Sequence, residues 1–129
     1  MSNSYRDLIA WQKALALVTD VYRWTEGFPK SEVYGLTSQM RRAAVSVVAN
    51  IAEGQGRNSR GEFVQFLGTA KGSLVELETH VFVAVNLGYF SAALRDEALN
   101  RTDEVSRLIN GLKQSLEKAP QASGRATRN

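Results

Sequence analysis

Apolar residues recur at intervals of three and four positions in four segments of this 129-residue chain. That spacing predicts amphipathic helices, and clusters of Gly, Pro and Asn separate the segments. The helices are expected over about residues 7–26, 37–56, 59–88 and 91–118, with Ser59 and Glu62 spaced as a capping box and Ser91 as a cap. No stretch has the alternating pattern of a strand. Because the loops are short, the fold is predicted to be all-α: an up-down-up-down antiparallel four-helix bundle over residues 1–118.

The third helix carries the most regular apolar line, in which intervals of four and three alternate: Phe63, Leu67, Ala70, Leu74, Leu77, Val81 and Ala84. A repeat of about 3.5 residues favours left-handed helix packing, so this line is predicted to be core. The first helix has a main stripe of Leu8, Trp11, Leu15, Val18, Tyr22 and Thr25, and a second, offset stripe of Ala14, Leu17, Val21 and Trp24. A lone bundle buries one stripe per helix. The second stripe, together with Phe82 and Val85, therefore predicts subunit contacts and a homo-oligomer.

A line of polar residues runs along the second helix, which is otherwise built from small apolar residues. We call it the polar seam: Gln39, Arg42, Ser46, Asn50, Glu53 and Arg57. Buried polar groups need hydrogen-bond partners, and the third helix offers Ser73, Glu76 and Glu78. The structural interpretation pairs Arg41 or Arg42 with Glu76 or Glu78 and Asn50 with Ser73, while Gly72 lets the second helix approach closely. The functional interpretation makes the seam a stripe that contacts RNA or another ligand.

The loop from Gly54 to Gly61 superficially resembles a phosphate-binding loop. It follows a helix and lacks the Gly-Lys-Ser/Thr ending, so it does not predict a P-loop. Arg57 and Arg60 nevertheless lie beside the start of the third helix, where N–H groups and positive charge can hold a phosphate. With Lys30 and Lys71 they form a candidate nucleic-acid-binding patch. The alternative is that these basic side chains are simply solvated.

The chain has no cysteine, which excludes disulfides, thiolate metal sites and cysteine nucleophiles. Its net charge of +3 is a modest basic excess that does not by itself indicate nucleic-acid binding. Its N-terminus lacks the layout of a signal peptide, and its apolar runs are too short to cross a bilayer, so a cytoplasmic protein is expected. Residues 119–129 contain Pro, Gly, Ser and basic residues and are predicted to form a flexible basic tail.

The sequence contains no recognisable set of catalytic residues. His80 is the single histidine, and with Glu76 it makes one Glu-x-x-x-His pair, whereas a di-iron bundle needs Glu-x-x-His motifs from two helices. No nucleophile elbow and no Ser, His and Asp set is present. The sequence therefore predicts neither an enzyme nor a metal site, and no cofactor.

Motifs spread over residues 7–89 resemble a known family. They are Trp11-Gln12-Lys13-Ala14, Phe28-Pro29-Lys30, Tyr34-Gly35-Leu36, Arg41-Arg42-Ala43-Ala44-Val45-Ser46, Asn50-Ile51-Ala52-Glu53-Gly54, Gly56-Arg57, Glu62-Phe63, Phe66-Leu67, Gly72-Ser73, Glu76-Leu77-Glu78 and Leu87-Gly88-Tyr89. The chain resembles the bacterial four-helix-bundle proteins first noticed as products of intervening sequences within 23S ribosomal RNA genes. The long motif from Arg41 to Gly54 is the most specific part.

The resemblance implies the bundle fold and a ring-like homopentamer. It says less about activity, because the ribosomal label describes where some of the genes lie. Two hypotheses follow: a non-catalytic accessory protein that associates with structured RNA or other nucleic acid, and an oligomeric scaffold or adaptor that binds another protein.

Overall fold

The computed structural model describes residues 4–118 and shows four long helices. These are α1 (Ile9–Thr25), α2 (Leu36–Gln55), α3 (Arg60–Asn86) and α4 (Ala92–Lys118), with short 3-10 turns at Tyr5–Asp7 and Lys30–Glu32. The described part of the chain contains no strand, which confirms the all-α prediction. The predicted tail, residues 119–129, lies outside the described residues.

The four helices close into a ring of neighbours. α1 packs on α2, α2 on α3, α3 on α4, and α4 returns to α1, whereas the backbones of the diagonal pairs stay apart. Since short connections reverse the chain between successive helices, this arrangement is the predicted up-down-up-down bundle.

The core line of α3 is confirmed. Leu67, Ala70, Leu74, Leu77, Val81 and Ala84 are all buried, and Phe63 is partly buried against the same core. Met40, Val47 and Ile51 of α2 are fully buried in that core, so the α2–α3 pair forms its most apolar part.

The prediction that the offset stripe of α1 makes subunit contacts is wrong, because that stripe is core, and part of the main stripe is exposed instead. Ala14, Leu17 and Val21 of the offset stripe are buried in the core, whereas Leu15 and Tyr22 of the main stripe are 44% and 43% exposed. Two adjacent stripes on one helix are both plausible core faces, and the positions of α2 and α4 decide which one turns inward. The surplus apolar surface of α1 is therefore carried by Leu15 and Tyr22, with Ile9 exposed at the start of the helix.

Close approach of α2 and α3 depends on Gly54 and not on Gly72. A Cβ atom at Gly54 would lie 2.6 Å from Cβ of Phe66, closer than real Cβ atoms come to another carbon. A Cβ atom at Gly72 would meet nothing within 4 Å, so the expectation for Gly72 is wrong. A side chain at position 72 would point away from α2, because Gly72 lies on the exposed outer side of α3.

The connector between α1 and α2 is fixed by one carboxylate. Glu32 Oε1 accepts a 3.0 Å hydrogen bond from the backbone N–H of Leu36, which is the first residue of α2, and Oε2 accepts a 2.8 Å hydrogen bond from the hydroxyl of Tyr89. Gly35 fits beneath this carboxylate, because a Cβ there would lie 2.7 Å from Oε1. Both hydrogen bonds favour the ionised form, so they lower the pKa of Glu32, the Leu36 bond most strongly.

The predicted caps of α3 and α4 are present, whereas α2 begins after Gly35 with no capping side chain at that position. Ser59 Oγ accepts a hydrogen bond from the N–H of Glu62, and Ser91 Oγ accepts one from the N–H of Leu94, each at 3.1 Å. Gly88 follows α3 with a φ of +81°, a left-handed conformation that glycine adopts without strain. These local signals explain why the helix boundaries could be read from the sequence.

Candidate functional site

The centre of the polar seam is a small hydrogen-bonded network between α2 and α3. The hydroxyl oxygens of Ser46 and Ser73 are 2.8 Å apart, and Asn50 Nδ2 donates to the backbone oxygen of Ser46 at 2.8 Å and to its Oγ at 3.1 Å. All three side chains are half-buried. Ser46, and not Asn50, therefore makes the hydrogen bond to Ser73, because the shorter side chain lies directly opposite it.

Further along the seam, Gln39, Arg42 and Glu76 line a shallow pocket of about 270 Å³ with Ala43. Among residues 4–118 no ion pair joins Arg42 to Glu76. Arg41 does not reach α3 either: its Nε donates to Thr25 Oγ1 of α1 at 2.9 Å, and its guanidinium lies 4.4 Å from the centre of the Tyr22 ring. The expected Arg–Glu pairs between α2 and α3 are therefore not formed: Arg41 binds α1 instead, and Glu78 accepts a hydrogen bond from Thr102 of α4.

His80 lies beside this pocket and is buried. Its Nε2 is 3.7 Å from Glu76 Oε2, while its buried Nδ1 has no hydrogen-bond partner within the described residues. Burial lowers the pKa of His80, and the charge of Glu76 opposes part of that effect. The imidazole is thus held in its neutral form at neutral pH.

The turn between α2 and α3 places one cation in a fixed position. Arg57 Nη2 lies 2.6 Å from Glu53 Oε2, and its guanidinium lies 4.7 Å from the centre of the Phe66 ring. Arg60 begins α3 directly after its cap, Ser59. Arg57 and Arg60 are therefore together at the N-terminal end of α3, where backbone N–H groups also favour anions.

The other two residues of the candidate basic patch lie elsewhere. Lys30 belongs to the α1–α2 connector, at the opposite end of α2, and the 20 residues of that helix span about 30 Å. Lys71 faces α4, where its Nζ donates to Asn110 Oδ1 at 3.1 Å. The structure brings together only Arg57 and Arg60 of the four predicted residues.

Five other basic residues of the described range pair with acidic neighbours: Lys13, Arg23, Arg95, Arg101 and Arg107. Between α1 and α4, Lys13 pairs with Glu104 at 3.4 Å and Arg101 pairs with Asp20, around a polar cavity of about 340 Å³. The sequence analysis missed this cavity, because spacing along α1 and α4 does not reveal which of their charges meet across the bundle.

Of the two residues predicted at a subunit contact, one lies in the open. Phe82 is 51% exposed on the outer side of α3. Val85 is partly buried and packs against the core of its own protomer, because it follows Val81 and Ala84 on the inner side of the helix.

Within residues 4–118, no three or more His, Asp or Glu side chains are grouped as a metal site would require. No helix in that range is long and apolar enough to span a bilayer.

Comparison with known proteins agrees with this fold. The chain is similar to a crystal structure of a protein with unknown function from the S23 ribosomal protein family of Bacteroides thetaiotaomicron VPI-5482, with a TM-score of 0.76 and 19% sequence identity, covering 82% of this chain and 96% of that one. No curated protein matches the sequence. The family described as 23S rRNA-intervening sequence protein matches residues 6–111. The chain therefore belongs to the 23S rRNA-intervening sequence protein family.

Proposed function

We propose that this protein is a cytoplasmic, non-catalytic accessory protein that assembles as a homo-oligomer and binds structured RNA at the turn between α2 and α3. The assembly is proposed to be the pentamer that the family resemblance implies. Each copy supplies a small basic site, and several copies together bind a folded RNA through many weak contacts.

One observation carries the RNA part of this proposal. Arg57 is held by Glu53 and by the face of Phe66, and it lies three residues before Arg60, the first residue of α3. A guanidinium that is already ordered loses little conformational freedom when it binds, and arginine can bind a phosphate through two parallel hydrogen bonds. The Glu53 carboxylate occupies this arginine in the free protein, and a phosphate would compete for the same guanidinium.

The family description gives a weaker argument. It names intervening sequences of 23S rRNA, which records where genes of the family lie and is a hint, not evidence, that RNA is the class of nucleic acid. A site made of phosphate contacts does not read base identity, so we propose recognition of RNA shape.

The test is a binding titration of a fluorescent RNA hairpin at low salt. Changing both Arg57 and Arg60 to Ala should weaken binding and reduce the slope of log affinity against log salt by roughly 1–2 units. The matched control changes Arg95 and Arg107 to Ala. These are a partly exposed and an exposed arginine of α4 that pair with Asp96 and Asp103 respectively, so the control alters the net charge equally. Equal losses in both double variants, or no binding by the wild type, would contradict the proposal.

A second candidate is a protein-binding scaffold, and one residue favours it. Tyr34 is 96% exposed on the rigid α1–α2 connector, with half-exposed Val33 beside it. Exposed tyrosines are common anchors at protein interfaces. Wild-type protein that binds no RNA but captures a protein partner, with capture lost in Tyr34→Ala, would favour the scaffold.

A further inference from the structure

α3 carries a second regular line on the side opposite its core line. We call it the α3 outer face: Gly61, Gln65, Gly68, Gly72, Val75, Thr79, Phe82 and Asn86. The intervals alternate between four and three, as in the core line, and all eight positions are exposed and uncharged.

α4 shows what an ordinary solvent-facing line looks like in this chain. Its exposed line has the same alternation: Asp96, Asn100, Asp103, Arg107, Asn110, Gln114 and Glu117. Four of these seven residues are charged, as expected for a helix face that remains in water. The α3 outer face instead exposes about half of Val75 and of Phe82. This contrast indicates that the α3 outer face is covered in the assembled protein.

No contact within the protomer requires glycine at positions 68 and 72 of the α3 outer face. A Cβ atom at Gly68 or Gly72 would meet nothing within 4 Å. Glycine inside a helix is destabilising relative to alanine, and at Gly54 the close contact with α3 explains its presence. A close neighbour from outside the protomer gives the same explanation at Gly68 and Gly72, which lie four residues apart on the α3 outer face, whereas Gly111 of α4 has no second glycine beside it.

The glycines indicate what kind of neighbour covers this face. Another helix can come close at Gly68 and Gly72, and it must present larger apolar side chains to fill the space beside them. The same chain has such a surface on α1 and α2, where Leu15, Tyr22 and Val45 are 44%, 43% and 41% exposed. We call these three residues the α1–α2 face.

The charges beside the two faces are complementary. Arg41 and Arg42 adjoin the α1–α2 face, and Arg42 makes no ion pair within the described residues. Exposed Glu62 and Glu76 flank the α3 outer face. Each face also has one nearby charge of the other sign: Glu26 beside the α1–α2 face and Lys71 beside the α3 outer face.

We infer that the α3 outer face of one copy packs against the α1–α2 face of the next copy. Because the two surfaces are different parts of the protomer, the contact is head-to-tail, and such contacts produce a closed ring when the rotation between copies is suitable. This inference rests on the oligomeric part of the proposed function.

The first test uses variants that improve the helix while blocking the contact. Changing both Gly68 and Gly72 to Gln replaces glycine with a better helix former, so the helix content should not fall. The mass from light scattering should nevertheless fall towards the 14.2 kDa of one protomer. The control is Gly111→Gln, because Gly111 is an exposed glycine of α4 that also has open space around it, and its mass should stay that of the wild type.

The second test identifies the two faces directly. The chain has no cysteine, so Leu15→Cys and Val75→Cys each introduce one thiol. Co-expressed copies of the two variants should be joined by a bifunctional maleimide, whereas copies of either variant alone should not. Linking of Val75→Cys to itself would overturn the inference, as would a glycine double variant of unchanged mass. Wild-type protein that is monomeric would overturn the proposed homo-oligomer as well.

Discussion

Tyr89 donates a 2.8 Å hydrogen bond from its hydroxyl to the Glu32 carboxylate, 57 positions earlier in the chain. The same carboxylate accepts the N–H of Leu36, so it joins the start of α2 to the turn between α3 and α4. The pKa of Tyr89 is raised, chiefly by this hydrogen bond, and that of Glu32 is lowered. The pair thus holds the connector against the body of the bundle.

Removal of either member should lower the unfolding free energy in a way that depends on the other. Tyr89→Phe should destabilise the wild type but should have little effect in a Glu32→Ala background, because the hydroxyl has then lost its acceptor. Chemical denaturation of the two single variants and the double variant measures this coupling. Because the Glu32 pKa is lowered, the contribution of Glu32 is present above its ordinary pKa and is lost as the pH falls through the lowered value. Additive effects would show that the two residues act independently.

Gly54 and Gly111 should respond to alanine with opposite signs. Gly54→Ala forces a Cβ atom into Phe66 and Phe63 and should cost about 1–3 kcal/mol of unfolding free energy. Gly111→Ala has open space and should stabilise the protein by up to about 1 kcal/mol. Thermal melts of both variants check the pair. A Gly54→Ala protein as stable as the wild type would mean that α2 can move away from α3 without cost.

The network in the polar seam should behave as one unit. Ser73→Ala leaves the Ser46 hydroxyl without its partner across the helices and should cost about 0.5–1.5 kcal/mol. Ser46→Ala should lower the unfolding free energy less in the Ser73→Ala background than in the wild type, because the hydrogen bond between the two serines has already been lost. Asn50→Leu should cost more than a surface substitution, since Asn50 donates to Ser46 twice. Denaturation curves for the four proteins decide whether the seam has this structural role.

His80 should make the fold less stable in mild acid. Its pKa is lowered by burial, so the unfolded chain binds the proton first as the pH falls below about 6.5, and the unfolding free energy declines from there through the lowered pKa. His80→Leu should flatten this window. Because the chain has one histidine, a single imidazole NMR signal reports its titration. A midpoint at or above about 6.5 in the folded protein would contradict the assignment.

The sequence predicted the features that depend on local chemistry or on a long repeat. The core line of α3 has seven members with one possible inner face, and the caps at Ser59 and Ser91 need only nearby residues. The stripes of α1 could not be ranked, because Leu15 and Leu17 are equally apolar and only the neighbouring helices separate them.

The candidate site was less predictable, because its residues come from different segments and the sequence does not show which helix ends lie at the same end of the bundle. Arg57 and Arg60 are close in sequence and stay together, whereas Lys30 lies at the far end of α2. The partners of Asn50 and Arg41 depended on side-chain reach across a helix pair, which helical spacing does not specify. The role of Gly54 depended in the same way on the position of Phe66 in α3.

The charged boundary between α1 and α4 should make the bundle unevenly sensitive to salt. Lys13–Glu104 and Asp20–Arg101 join these helices across a polar cavity, while α2 and α3 share apolar contacts. Ionic strength screens exposed ion pairs and scarcely affects a buried apolar interface. Backbone amides of α4 facing α1 should therefore exchange with deuterium faster in concentrated salt, while those between α2 and α3 keep their protection. The bundle would loosen along one edge before it unfolds as a whole.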